Sequence, residues 1–107
     1  AVEYAATPEI VRARIAAADI VQFHFWNAPD LHALLRSCLP PMRAVAWCHV
    51  SGLTPPHIVP RALFDLADVV VATSPRSLEL ACFREAPADR IACIPGGIDS
   101  ARFAGIA

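Results

Sequence analysis

Two histidines of this 107-residue chain lie in or just after strand-like segments, where an imidazole can meet a ligand. His49 follows the apolar run 44–47 and precedes Ser51 and Gly52. An imidazole can exchange hydrogen bonds with a sugar hydroxyl or a phosphate, and glycine permits close backbone approach. From the residues alone, His49 is either a ligand-contacting residue or a strand-end histidine bonded to a neighbouring carbonyl.

The other candidates have a structural alternative that is favoured over the functional one. His24 lies inside the strand-like segment 19–26 and is expected to be a satisfied core histidine. Asn27 and Ser74 precede proline-led helical patterns, which predicts helix caps that meet a ligand only secondarily. Gly96-Gly97 lacks the later glycine and helix of a G-x-G-x-x-G fingerprint and predicts a tight turn with close backbone approach.

Composition excludes several kinds of chemistry within this chain. All nine basic residues are arginine, so a Walker-A lysine, a Schiff base and a lysine general base are absent. A net charge of −1 gives no bulk attraction to nucleic acid or to an anionic membrane. No apolar run approaches the ~18 residues of a membrane span. The chain has no paired carboxylates that would indicate a glycosidase, and it has no G-x-S-x-G elbow that would indicate an esterase.

The four cysteines do not form a C-x-x-C pair. This spacing predicts buried free thiols in a reducing compartment, and neither a zinc site nor a disulfide framework: Cys38, Cys48, Cys82 and Cys93. The N-terminal residues also lack the basic-then-apolar layout of a signal peptide. A cytoplasmic location and no bound metal are therefore expected.

The elements that must position these residues alternate along the chain. Strands are predicted near 19–26, 43–50, 68–73 and 90–94, and one helical pattern fills each interval. A further helix is predicted from Thr7 as its cap to about residue 17. Strand starts about 22 to 25 residues apart indicate right-handed βαβ crossovers. The fold class is therefore α/β, an open, Rossmann-like parallel sheet of about four strands with flanking helices.

Parallel strands end at one edge of a sheet, which is where open α/β sheets bind ligands. We therefore expect the candidate residues to converge there and form a cleft: His24, Asn27, His49, Ser51, Gly52, Thr73, Ser74, Gly96 and Gly97.

Four blocks in this order resemble glycosyltransferase family 4, of GT-B fold. They are D-I-V-Q-F-H-F-W-N-A-P from Asp19, W-C-H-V-S-G from Trp47, A-D-V-V-V-A-T-S from Ala67 and I-P-G-G-I-D-x-x-x-F from Ile94. The last block is similar to the family's I-P-N-G-V-D-x-x-x-F signature, with Gly96 where asparagine is common. The resemblance covers about residues 19–103.

The resemblance implies a retaining transferase that moves a sugar from a nucleotide-sugar donor to a sugar or lipid-linked acceptor without a metal. It implies that the N-terminal domain holds the acceptor, and that His49 lies near the transferred sugar as the catalytic residue. The other matching positions would line the cleft: Asn27, Ser51, Gly52, Ser74, Gly96 and Gly97.

The resemblance also implies that 1–107 is a single partial GT-B N-terminal domain, ending at the interdomain linker around 95–107. The family's first strand and glycine-rich loop would precede Ala1. The donor domain, with its E-x7-E carboxylates, would follow Ala107. We expect the isolated chain to be inactive. Peripheral membrane association occurs in this family, but no basic amphipathic helix here supports it.

Two alternatives remain at this point. The chain could be a non-catalytic, acceptor-binding subunit of a split GT-B enzyme, which a stop codon after Ala107 would favour. A free-standing flavodoxin-like or response-regulator-like module is a weaker alternative. Such a module requires a glycine-rich or acidic cluster after its first strand, and residues 23–26 supply neither.

Overall fold

The chain folds into an open, Rossmann-like α/β layer of four parallel strands with flanking helices. A computed structural model describes residues 7–97 and 99–105, so the ends of the predicted domain 1–107 lie outside the described residues. The strands lie side by side in chain order: β1 Val21–Phe25, β2 Ala44–Cys48, β3 Val69–Ala72 and β4 Ile91–Cys93. The α-helices are α1 Pro8–Ala17, α2 Pro29–Arg36, α3 Ala62–Leu66 and α4 Ala81–Glu85. The predicted fold class is confirmed.

One face of the sheet carries the core and is called the helical face here. Side chains alternate between the two faces of a strand, so every second residue contributes to one face. The buried strand residues on the helical face are Phe25, Ala44, Ala46, Cys48, Val70 and Ala72. The helix residues that pack there include Leu31, Leu35, Leu63, Phe64 and Phe83. The small side chains of β2 leave room for the helices that cross it.

The opposite side of the sheet is called the open face here, because the residues of α2, α3 and α4 that pack on the core lie on the helical face. A strand order of β1-β2-β3-β4 steps in one direction throughout, and right-handed crossovers then place every connecting helix on the same side. The open face is formed by the alternate strand residues: Gln22, His24, Val45, Trp47, Val69, Val71 and Ala92. Val71 is nevertheless only 3% exposed, and its register partners on the two neighbouring strands are Trp47 and Ala92.

The predicted strand boundaries are too wide at several ends. Ile20 is 63% exposed and precedes β1, and Trp26 is 56% exposed and follows it.

Within the described residues no helix is long and apolar enough to cross a membrane.

The single helix predicted after Ser74 is two shorter elements. A 3₁₀ helix spans Pro75–Glu79, and α4 begins after Leu80, whose extended backbone (φ −65°, ψ 144°) separates the two. Ser77 is buried, and its hydroxyl donates to the Ser51 carbonyl at 2.6 Å. This bond ties the 3₁₀ helix to the loop after β2, so long-range contacts decide the conformation of this segment.

The prediction of four buried thiols is wrong for one cysteine and too strong for two. All four cysteines are free, but Cys38 is exposed in the loop after α2. Cys82 and Cys93 are only half-buried, whereas Cys48 is buried on the helical face. Burial raises the pKa of the Cys48 thiol from its ordinary 9.0 to about 12.

Two neighbouring valines of β3 test which face is the core. Val70 is 1% exposed on the helical face, and Val69 lies half-buried on the open face. We expect Val70→Thr to lower the free energy of unfolding by about 1–3 kcal/mol, because its hydroxyl would be buried among apolar groups. Val69→Thr should stay within about 0.5 kcal/mol of the parent in chemical denaturation. Equal losses would contradict a one-sided core.

The thiols should differ in their reaction with alkylating reagents in the native chain. Near neutral pH we expect Cys38 to react first and Cys48 last, as followed by mass spectrometry, and Cys38→Ser to remove the fast phase. The raised pKa of Cys48 also favours the folded state below pH 9.0, and this stabilisation should be lost as the pH rises towards 12. Rapid native alkylation of Cys48 would contradict its burial.

Candidate functional site

A column of four rings lies on the open face at the carboxyl end of β1 and β2. The Trp26 ring is parallel to the His49 ring, with an interplanar angle of 2° and centroids 4.3 Å apart. The centroids of His49 and His24 are 4.9 Å apart, and those of His24 and Trp47 are 6.2 Å apart. This ring column is exposed at its Trp26 end.

The two imidazoles of the ring column are joined by a hydrogen bond. His24 Nδ1 and His49 Nε2 are 2.7 Å apart, and the side-chain amide nitrogen of Gln22 lies 3.2 Å from His24 Nε2. The structure thus brings His24 and His49 together as expected. His24 is exposed, however, so the expectation of a core histidine is wrong: its alternating position directs it to the open face.

The sheet backbone holds the rings in place. His24 is the register partner of Trp47, and the His49 N–H donates to the Phe25 carbonyl at 2.9 Å. The ladder between β1 and β2 therefore continues one step past Cys48. Side chains positioned on strands are held more firmly than side chains on loops.

Asn27 does not cap α2, contrary to expectation. The N-cap residue is Ala28, which makes no side-chain bond. The Asn27 side chain instead accepts from His32 Nε2 at 2.7 Å and donates to the Pro56 carbonyl. This bond also holds the His32 ring beside the start of α2. Asn27 ties the start of α2 to the loop after β2.

Ser51 and Gly52 form the tight turn that leaves β2. Ser51 Oγ accepts from the Leu53 N–H at 3.3 Å, and the Ser51 carbonyl is bonded to Ser77. Gly52 has a φ of +77°, and a Cβ there would lie 2.6 Å from Leu80 Cδ1. Close approach to Gly52 is thus made by the protein's own side chains.

The remaining predicted site residues do not join the ring column. Ser74 is the N-cap of the 3₁₀ helix but makes no side-chain cap bond, and the Ser77 N–H donates to the Ser74 carbonyl instead. Gly96 and Gly97 are exposed, and nothing described lies within 4 Å of a Cβ built on either. Within the described residues, no neighbour approaches this pair of glycines closely. Ile98 of the same block lies outside the described residues.

The expected single cleft is divided between the two faces of the sheet. The ring column lies on the open face, while a groove of about 720 Å³ lies beside Asn27, His32, Pro56 and Pro60. In open α/β sheets the binding crevice forms where the strand order reverses, and β1-β2-β3-β4 contains no reversal in its described part. The chemistry-bearing groups thus cluster at the β1 end of the edge.

Sequence reasoning missed Gln22 as a member of the site. The signal was present, since Gln22, His24 and Trp26 are alternate residues beside the apolar positions Val21, Phe23 and Phe25. Such alternation predicts a polar and aromatic face on β1. Among the described residues, no three His, Cys, Asp or Glu side chains are grouped so as to hold a metal ion.

No family model matches the chain, and neither a curated protein nor a solved structure matches it.

Gly52 should tolerate alanine poorly for two separable reasons. Its positive φ costs an L-residue about 1–2 kcal/mol, and the clash with Leu80 and Val59 adds to this. We expect Gly52→Ala to lower the free energy of unfolding by about 2–4 kcal/mol. Gly96→Ala, with open space and no positive φ, is the matched control and should change it by less than about 0.5 kcal/mol. Similar effects at both glycines would contradict the turn geometry.

Proposed function

We propose that this chain is the acceptor-side half of a glycosyltransferase site. In this proposal the full-length enzyme has a GT-B fold and takes a sugar from a nucleotide-sugar donor with retention of configuration. The acceptor is a sugar or a lipid-linked sugar. The donor domain, which would face the carboxyl edge of the sheet, selects the donor.

The observation that carries the proposal is the ring column. A sugar ring has an apolar C–H face and a rim of hydroxyl groups, so it suits a flat aromatic surface with hydrogen-bonding nitrogens beside it. Trp26 offers such a surface at 56% exposure, and His49 lies parallel to it at 4.3 Å. The order and spacing of the four family-like blocks support the same function.

Each residue has a distinct role in this proposal. His49 contacts the transferred sugar, and Trp26 receives the face of a sugar ring. Ser51 and Gly52 hold the turn that positions His49, through the bond to Ser77 and the contact with Leu80. Asn27 fixes the neighbouring loop through its bonds to His32 and Pro56.

The same geometry serves an acceptor-binding subunit whose donor domain lies on a separate chain. The two arrangements differ in whether the reading frame continues into E-x7-E carboxylates. Sugar binding by the present chain is common to both, and turnover by one polypeptide belongs only to the first.

We expect substitutions in the ring column to impair sugar transfer by the full-length protein. His49→Ala should lower kcat/KM by about 100-fold, as loss of one preorganised hydrogen-bonding group does elsewhere. Trp26→Ala should raise the acceptor KM by about 3- to 10-fold, whereas Trp26→Phe should keep the acceptor KM close to the parent value. Turnover is measured by release of nucleotide from a panel of UDP-, GDP- and ADP-sugars.

His57→Ala is the matched control, because His57 is an exposed histidine of the loop after β2 outside the ring column. It should leave turnover unchanged. The isolated 107-residue chain should show no turnover, since it supplies only one side of the site. Full activity of His49→Ala, or turnover by the isolated chain, would overturn the proposal.

A further inference from the structure

A hydrogen-bond chain runs along the open face from Gln22 through His24 to His49. Gln22 and His24 are alternate residues of β1, so both lie on the same face, and His49 extends from the neighbouring strand. The contacts are 3.2 Å from the Gln22 amide nitrogen to His24 Nε2 and 2.7 Å from His24 Nδ1 to His49 Nε2.

The side-chain amide of Gln22 decides which atom donates and which accepts in both of these hydrogen bonds. An amide nitrogen donates and does not accept, so His24 Nε2 must be the acceptor. A neutral imidazole carries a single proton, which in His24 then lies on Nδ1 and is donated to His49 Nε2. The proton of neutral His49 must consequently lie on Nδ1.

We propose that Gln22 is a positioning residue that fixes His49 as a hydrogen-bond donor at Nδ1. His49 Nδ1 has no hydrogen-bond partner among the residues at 7–97 and 99–105, so this N–H is available to a ligand. The ligand atom that it takes is an acceptor oxygen, of a hydroxyl or a phosphoryl group. That the oxygen belongs to a sugar rests on the proposed function.

This arrangement gives His49 the role of an oriented donor instead of a general base. A general base needs a lone pair within reach of the substrate proton. The only lone pair of neutral His49 is on Nε2, and it already accepts from His24 at 2.7 Å. Rotation of the ring by half a turn would put Cε1 in the place of Nε2 and break the bond to His24, and the parallel stacking on Trp26 also opposes that motion.

Ring-nitrogen NMR of the ¹⁵N-labelled chain tests the inference without any activity measurement. At alkaline pH, where imidazoles are neutral, His24 and His49 should both show protonated Nδ1 and unprotonated Nε2. Gln22→Met keeps the length of the side chain and removes the donor, so both rings should shift towards Nε2–H. Gln22→Lys restores a donor without an acceptor and should keep the parent tautomers.

A purely structural role for Gln22 would leave the tautomers unchanged in both variants. Unchanged tautomers in Gln22→Met, or Nε2–H in His49 of the parent chain, would overturn the inference. His24→Leu is a second variant, which removes the hydrogen bond between His24 and His49. His49 should then lose its preference for a proton on Nδ1. Gln22 is exposed, so its substitutions should leave the fold intact, which far-UV circular dichroism checks.

Titration of the same labelled chain identifies the source of the oxygen. A shift of the His49 Nδ1–H signal with methyl α-mannopyranoside would support a hydroxyl oxygen, and a shift with inorganic phosphate alone would support a phosphoryl oxygen. A signal that responds to neither would overturn the ligand part of the inference. The tautomers are measured without ligand, so they test the role of Gln22 even if the proposed function is wrong. The two proposals can therefore fail separately.

Discussion

A parallel strand returns to its neighbour through a right-handed crossover, and this constraint shapes the whole molecule. Each crossover here leads one strand further in the same direction, from β1 to β4. The connecting helices therefore pack on one face, and the core forms between them and the small side chains of β2. The same constraint leaves the other face free to carry polar and aromatic side chains.

Alternation along β1 and β2 then separates two kinds of chemistry that are neighbours in sequence. Cys48 points to the helical face, where burial raises its pKa and keeps the thiol neutral. Trp47 and His49, on either side of it, belong to the open face and to the ring column. A site built in this way takes its geometry from the hydrogen bonds of the sheet, as the bond from the His49 N–H to the Phe25 carbonyl illustrates.

Most of the fold could be predicted because its signals are local. Proline-led helix starts and apolar strands at regular intervals predicted every strand and the α/β class. The site was harder, because it depends on which face each residue occupies. His24 was expected in the core since the sequence does not state on which side the helices lie, and Asn27 was expected as a cap since its partners, His32 and Pro56, are fixed only by tertiary structure. Gln22 could not be predicted as a site residue because a single exposed amide belongs to no sequence motif.

The chain has only two tryptophans, and both belong to the ring column. One stacks on His49 and the other lies beside His24, so the indole emission of this molecule arises entirely at the two ends of the histidine pair. Intrinsic fluorescence, which usually averages over a whole protein, is here a local optical readout of the candidate site. A one-residue slip of β1 against β2 would carry His24 and Trp26 to the opposite face and separate them from His49. The emission spectrum would register that rearrangement even if the helices stayed folded.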